Sequence, residues 1–109
     1  MKYLIVIKYV FSTEWLRMSP TEREKHERKF RGGTVAPFAD RLTVRHFDAE
    51  AFAADHSDFL VVETEDLDTY YYFVEKLRDS DIIANDWAKI TEISIGIEDG
   101  YKEYARDHE

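Results

Sequence analysis

An α+β fold in the order β-α-β-β-α-β, the ferredoxin-like sandwich, is what this sequence predicts. Three observations carry the prediction. Four short runs have strand composition, two of the gaps between them carry helix signals, and the middle two runs are separated only by a short turn. At 109 residues the chain has room for one domain with one core, so residues 1–109 are expected to fold as a single unit.

The first run, "YLIVIKYVF" (Tyr3–Phe11), is rich in β-branched and aromatic residues and has no helical spacing. A short helical turn is expected over Thr13–Arg17, with Trp15 and Leu16 packing inward. In "MSPTEREKHERKF", Ser19 suits an N-cap, Pro20 the first helical position, and Glu22 the carboxylate of a capping box. That helix is expected to reach Phe30, with Gly32 and Gly33 breaking or bending it before another turn near Pro37.

"RLTVRHFDAEAF" (Arg41–Phe52) alternates as a half-buried strand does, "AADHS" is a turn, and "DFLVVETE" (Asp58–Glu65) pairs back as a hairpin. The clearest helix lies in "EDLDTYYYFVEKLRDSD". Asp66 sits near its cap, Leu67, Tyr70, Tyr71, Val74 and Leu77 share one face, and Tyr72 points outward. "KITEISIGI" (Lys89–Ile97) is the fourth strand. The polar tail is expected to fray, apart from Tyr101 and Tyr104, which are able to dock.

Composition excludes several functions. Without cysteine there are no disulfides, thiolate nucleophiles or zinc–thiolate sites, which fits a reducing cytoplasm. The first ten residues are too short a run to span a bilayer, carry Lys8, and lack a small-residue cleavage site, so a soluble, unprocessed, cytoplasmic protein is expected. A net charge of −8 argues against nucleic acid. The one basic stretch, "REKHERKFR", reads as a solvated helix face with Glu24–Arg28 and Glu27–Arg31 pairs.

Period-two alternation sorts the sheet into two faces. Ile5, Ile7, Val44, Leu60, Val62, Ile93 and Ile95 form an aliphatic face for the helices. Leu4, Val6, Lys8, Thr43, Arg45, Phe47, Phe59, Val61, Glu63, Glu92 and Ser94 form the other. Such a partly apolar open face marks an interface, and two copies that set these faces together close a dimeric α+β barrel. Lys8 and Arg45 then share an inward cavity in which Glu63 and Glu92 balance their charge.

With those residues in view, the chain resembles the darcynin family. The resemblance rests on "KYxxxxxxV" at the first strand, on Trp15, Leu16, Ser19, Glu22 and Arg23, and on a helix ending in phenylalanine. It continues through the turn at Pro37 and the "RHFDAEAF" segment. It implies a small bacterial protein with a dimeric α+β-barrel fold, and brings no activity and no catalytic residues with it.

The leading functional expectation is a small molecule, anionic or aromatic, bound on the open sheet face. Lys8 and Arg45 anchor it, Phe47 and Phe59 wall it, and Glu63 and Glu92 complete the set. Against this stands a structural reading, in which the four charges are an ion network that fixes the register of two copies. A third expectation is a small cofactor-free enzyme of monooxygenase or isomerase type. His46, oriented by Asp48 two residues on, would be its base, although the face sorting sets His46 on the helix side. His46, His56, Asp48, Asp55 and Asp58 are dense in metal-ligand types but have no recognised ligand spacing, and neither metal nor cofactor is expected. For heme, the candidate axial residues would be His26 and His46.

Overall fold

In the computed structural model, which describes residues 1–108, the opening apolar run becomes strand β1 (Tyr3–Phe11). Ser12 turns the chain. Its Oγ accepts the Trp15 N–H at 3.1 Å and caps helix α1 (Thr13–Arg17). Ser19 caps helix α2 (Pro20–Phe30) in the same way, accepting the Glu22 N–H at 3.2 Å with Pro20 in the first turn. The glycines do not stop this helix. It widens into a π-helical turn over Arg31–Val35 and tightens into a 3-10 turn over Ala36–Phe38.

Strand β2 (Thr43–Asp48) is shorter than its alternating sequence. From Ala49 onward the backbone bonds to itself instead, the N–H groups of Phe52 and Ala53 donating to the Ala49 carbonyl. Strand β3 (Asp58–Thr64) returns antiparallel, followed by helices α3 (Leu67–Asp79) and α4 (Asp81–Ala84), strand β4 (Ala88–Ile97) and helix α5 (Gly100–Asp107). The sheet is wholly antiparallel in the order β2-β3-β1-β4, the ferredoxin-like arrangement.

Register confirms the two faces. Ile5 pairs with Val62 and Ile95, and Ile7 with Leu60 and Ile93. On the reverse face, Val6 pairs with Val61 and Ser94, and Lys8 with Phe59 and Glu92. The helix-side face closes the core: Ile5, Ile7, Leu60 and Val62 meet Tyr70, Phe73 and Leu77 of α3 and Leu42. The register of β4 slips by one residue between Lys8 and Tyr9. This bulge sets Ile90 opposite Tyr9, so Ile90 and Ile93 serve the same core although strict alternation would part them.

Three local expectations need correction. On α3 the buried stripe is Tyr70, Phe73 and Leu77, while Tyr71 is 61 % exposed; the helix is rotated so that its apolar seam centres on Phe73. Leu16 is 53 % exposed, because a five-residue helix buries only one side chain and Trp15 takes that place. The tail is helical rather than frayed through Asp107, and Tyr101 and Tyr104 stay exposed. Glu109 lies outside the described residues.

Asp66 ties the hairpin to α3. Its carboxylate accepts the Thr69 hydroxyl at 2.7 Å, the Thr69 N–H at 3.1 Å and the Arg41 guanidinium at 2.7 Å. These bonds, those from Thr69 foremost, hold its carboxyl down at about 2. A carboxyl depressed when folded contributes stability above its unfolded value of about 3.9 and loses it as pH falls through the folded value. Asp66→Ala should therefore lower the thermal midpoint at neutral pH, and the gap to wild type should close as the pH is taken toward 2. A gap that persists unchanged in acid would mean that the cap acts through something other than its charge.

Candidate functional site

Between the sheet and the helices lies a cavity of about 410 Å³. Its floor is Tyr9 and Phe11 of β1 with Val44, His46, Asp58 and Leu60 of the hairpin. Its roof is Glu27, Phe30 and Arg31 of α2, Val35, Leu77 of α3, and Ile82 and Ile83 of α4. The wall is mainly apolar, with a few polar groups converging at one end, the usual make-up of a small-molecule site.

His46 and Asp58 are the centre of that polar end. Strand register sets Asp48 opposite Asp58 and His46 opposite Leu60, so His46 and Asp58 are diagonal neighbours across the β2–β3 pair. His46 Nε2 lies 2.7 Å from Asp58 Oδ2. The partner expected from sequence, Asp48, accepts the Glu50 N–H at 3.1 Å instead and forms the turn that ends β2. Asp58 is only 4 % exposed, and its Oδ1 is buried with no hydrogen-bond donor among the described residues. A buried acceptor left unmet costs roughly 1–3 kcal/mol.

Tyr9 packs beside this pair, its ring 6.5 Å from the His46 imidazole. Burial, followed by the negative charges of Asp58, Glu27 and Asp48, pushes its phenol far above the ordinary value, so Tyr9 is a neutral hydroxyl. Ser57 fixes the backbone here: its N–H donates to the Tyr9 carbonyl at 3.0 Å and its Oγ accepts the Phe11 N–H at 3.1 Å.

Arg31 does not pair with Glu27. Its guanidinium reaches back to Glu24 at 3.0 Å, and Arg28 reaches the same carboxylate at 3.7 Å. Among the described residues, Glu27 has no salt-bridge partner, and it faces the cavity.

The open sheet face gathers the six residues picked out by sequence, and it pairs their charges. Arg45 bonds Glu63 at 3.0 Å, and Lys8 stands 3.5 Å from Glu92. Phe47 and Phe59 stack at 5.1 Å, with the Arg45 guanidinium 5.9 Å above the Phe47 ring. His56 pairs with Asp55 at 2.7 Å on the adjacent loop, and among the described residues no three His, Asp or Glu side chains gather around a point that would ligate a metal.

The sequence marked Asp58 only among potential metal ligands and Glu27 only as a surface partner of Arg31, and did not bring either together with His46 in a pocket. Tyr9, Glu27 and Asp58 each look like ordinary strand or helix residues, and the signal able to find Asp58 was the hairpin register that sets it beside His46.

Fold and cavity together define a ferredoxin-like α+β protein with a polar-ended pocket between sheet and helices. The chain belongs to the Darcynin family, a domain of unknown function whose model matches residues 2–108. Darcynin of Chromobacterium violaceum is 39 % identical over 63 residues, covering 58 % of this chain and 80 % of that protein. Darcynin 1 of Acinetobacter baumannii is 43 % identical over 63 residues, covering 58 % of this chain and 70 % of its own length. Solved structures share the fold at low identity. A mutant chlorite dismutase from Candidatus Nitrospira defluvii matches with a TM-score of 0.76 at 10 % identity over 89 % of this chain. A novel heme-binding protein from Thermus thermophilus matches with a TM-score of 0.77 at 14 % identity over 94 %. The chain spans only 40 % and 43 % of those two solved chains. No described helix is long and apolar enough to cross a membrane.

A group whose ionisation is raised by folding stabilises the fold below its unfolded value and loses that contribution as pH rises beyond it. The phenol of Tyr9 is such a group. Wild-type stability should therefore fall as pH is raised above about 10, and Tyr9→Phe should flatten that fall. Denaturant titrations of both proteins from neutral to alkaline pH check this; parallel losses in the two would show that Tyr9 is free to ionise in place.

Proposed function

We propose that this protein binds a small molecule in the cavity between its sheet and helices, as one half of a homodimer joined through the opposite sheet face. The observation that carries the binding reading is the buried Asp58 carboxylate, paired with the half-exposed His46, in the mainly apolar wall of a cavity of about 410 Å³. A carboxylate with an unmet oxygen in such a place is a fixed, desolvated recognition point.

The dimer reading rests on the other face. Leu4 and Phe47 are 41 % and 39 % exposed there, around a floor of Val6, Phe59 and Val61. Apolar surface of that kind marks an interface, and Lys8–Glu92 and Arg45–Glu63 would fix the register of two copies. Val61→Glu places a charge at the centre of the floor and should convert a dimer to monomer in sedimentation velocity at micromolar concentration. Persistence of the dimer would refute contact through this face.

Heme, named for the Thermus neighbour, is poorly matched by the residues here. The imidazole in the cavity wall has Nε2 engaged by Asp58, the guanidinium there is held by Glu24, and the two carboxylates in the wall would repel the acidic side chains of heme. His26 faces a different cavity, packed 4.6 Å from Trp87. A histidine held by a carboxylate also suits proton abstraction, which keeps an enzyme with His46 as base as the second reading.

Native mass spectrometry of protein purified from its own host tests the binding reading. The expected result is a small mass that leaves on denaturation. Leu60→Trp, which fills the cavity, should strip that mass, and Lys8→Met should retain it. The reverse pattern would return the ligand to the sheet face between Lys8 and Arg45, and bare protein in every preparation would argue against a ligand altogether.

A further inference from the structure

The geometry points to an organic cation, an amine on a flat apolar body, as the class of ligand that the cavity takes. This rests on the cavity reading above and deepens it. The polar groups in the wall are not balanced. Asp58 and Glu27 both face the space, and the cation that sequence assigns to Glu27, Arg31, is bound at 3.0 Å to Glu24 outside that pairing. His46 answers one oxygen of Asp58 at 2.7 Å and leaves the other, buried, without a donor. Two carboxylates therefore share a largely apolar wall with one imidazole and one guanidinium, and that guanidinium is already bound to Glu24.

An ammonium group supplies what is missing. It carries several N–H donors, enough for more than one carboxylate, and bonds to ionised acceptors are about twice as strong as neutral ones. The aromatic rings of Tyr9 and Phe30 in the wall suit the same charge, since a cation is attracted to a ring face. Burial is the first cause of the raised ionisation of Tyr9; the carboxylates of Asp58, Glu27 and Asp48 add to it, and that added part favours a cation as it disfavours a phenolate. An anionic ligand would meet that field with the wrong sign.

Three matched probes separate the outcomes: phenethylamine, phenethyl alcohol and hydrocinnamate, each titrated into the full chain while amide signals of residues lining the cavity are followed by NMR. The amine should bind at least about tenfold tighter than the alcohol, and the carboxylate should bind weakest. Glu27→Gln, on a helix surface that tolerates it, should remove most of the amine's advantage and leave the alcohol unchanged. Asp58→Asn should do likewise where it folds. An alcohol or carboxylate that binds as well as the amine at the cavity would overturn the cation assignment and leave the cavity reading standing. If none of the three perturbs the cavity signals, the cavity reading fails and the assignment falls with it.

Discussion

Strand β1 is hydrogen-bonded on both sides, to β3 through Tyr3–Tyr9 and to β4 through Tyr3–Phe11, and every other placement in the molecule depends on that double register. A slip of one residue would turn Ile5 and Ile7 out of the core and bring Val6 and Lys8 into it. Pairing on two edges makes such a slip unaffordable, because both ladders would have to move together. The charge at Lys8 is tolerated for this reason. It lies on the face that register keeps away from the helices, within reach of Glu92.

The same strand builds the cavity. Where β4 bulges between its partners Lys8 and Tyr9, local twist increases and the sheet turns beneath α2. Tyr9 and Ile90 come to the helix side together, and Ser57 pins the hairpin loop to the Tyr9 backbone. Above them, the π-helical turn that begins at Arg31 lets α2 continue past its glycines, while the Arg31 guanidinium binds Glu24. Strand bulge and helix widening are thus two departures from regular geometry on opposite walls of one space.

Much of the fold was legible because it rests on periodicity and caps. The faces of β1 and β3, the caps at Ser19 and Asp66, and the strand–helix order all follow from spacings that local chemistry enforces. The bulge was not legible, since Thr91 is an unremarkable strand residue and nothing local announces the slip. Glu27 was assigned to Arg31 by α-helical spacing, and the backbone keeps that spacing, the Arg31 N–H donating to the Glu27 carbonyl, yet the guanidinium reaches Glu24 two turns back instead. His46 was set on the helix side correctly, yet its partner was sought two residues away rather than across the hairpin. The cavity depends on the distance between two layers, and no repeat along a single chain reports that distance.

The aromatic cluster beside the cavity gives the molecule an optical property. Phe11, which lines the cavity, stacks on the buried Trp15 at 5.1 Å, and Trp15 lies 5.8 Å from Trp87 at 39°. These are the chain's two tryptophans, held close and tilted in an asymmetric setting. That closeness is what excited-state coupling requires, so a near-ultraviolet circular dichroism signal from the tryptophans would arise at one junction, where α1, β1 and the start of β4 meet. The chromophores that report on that junction are built into it, one ring away from the cavity wall.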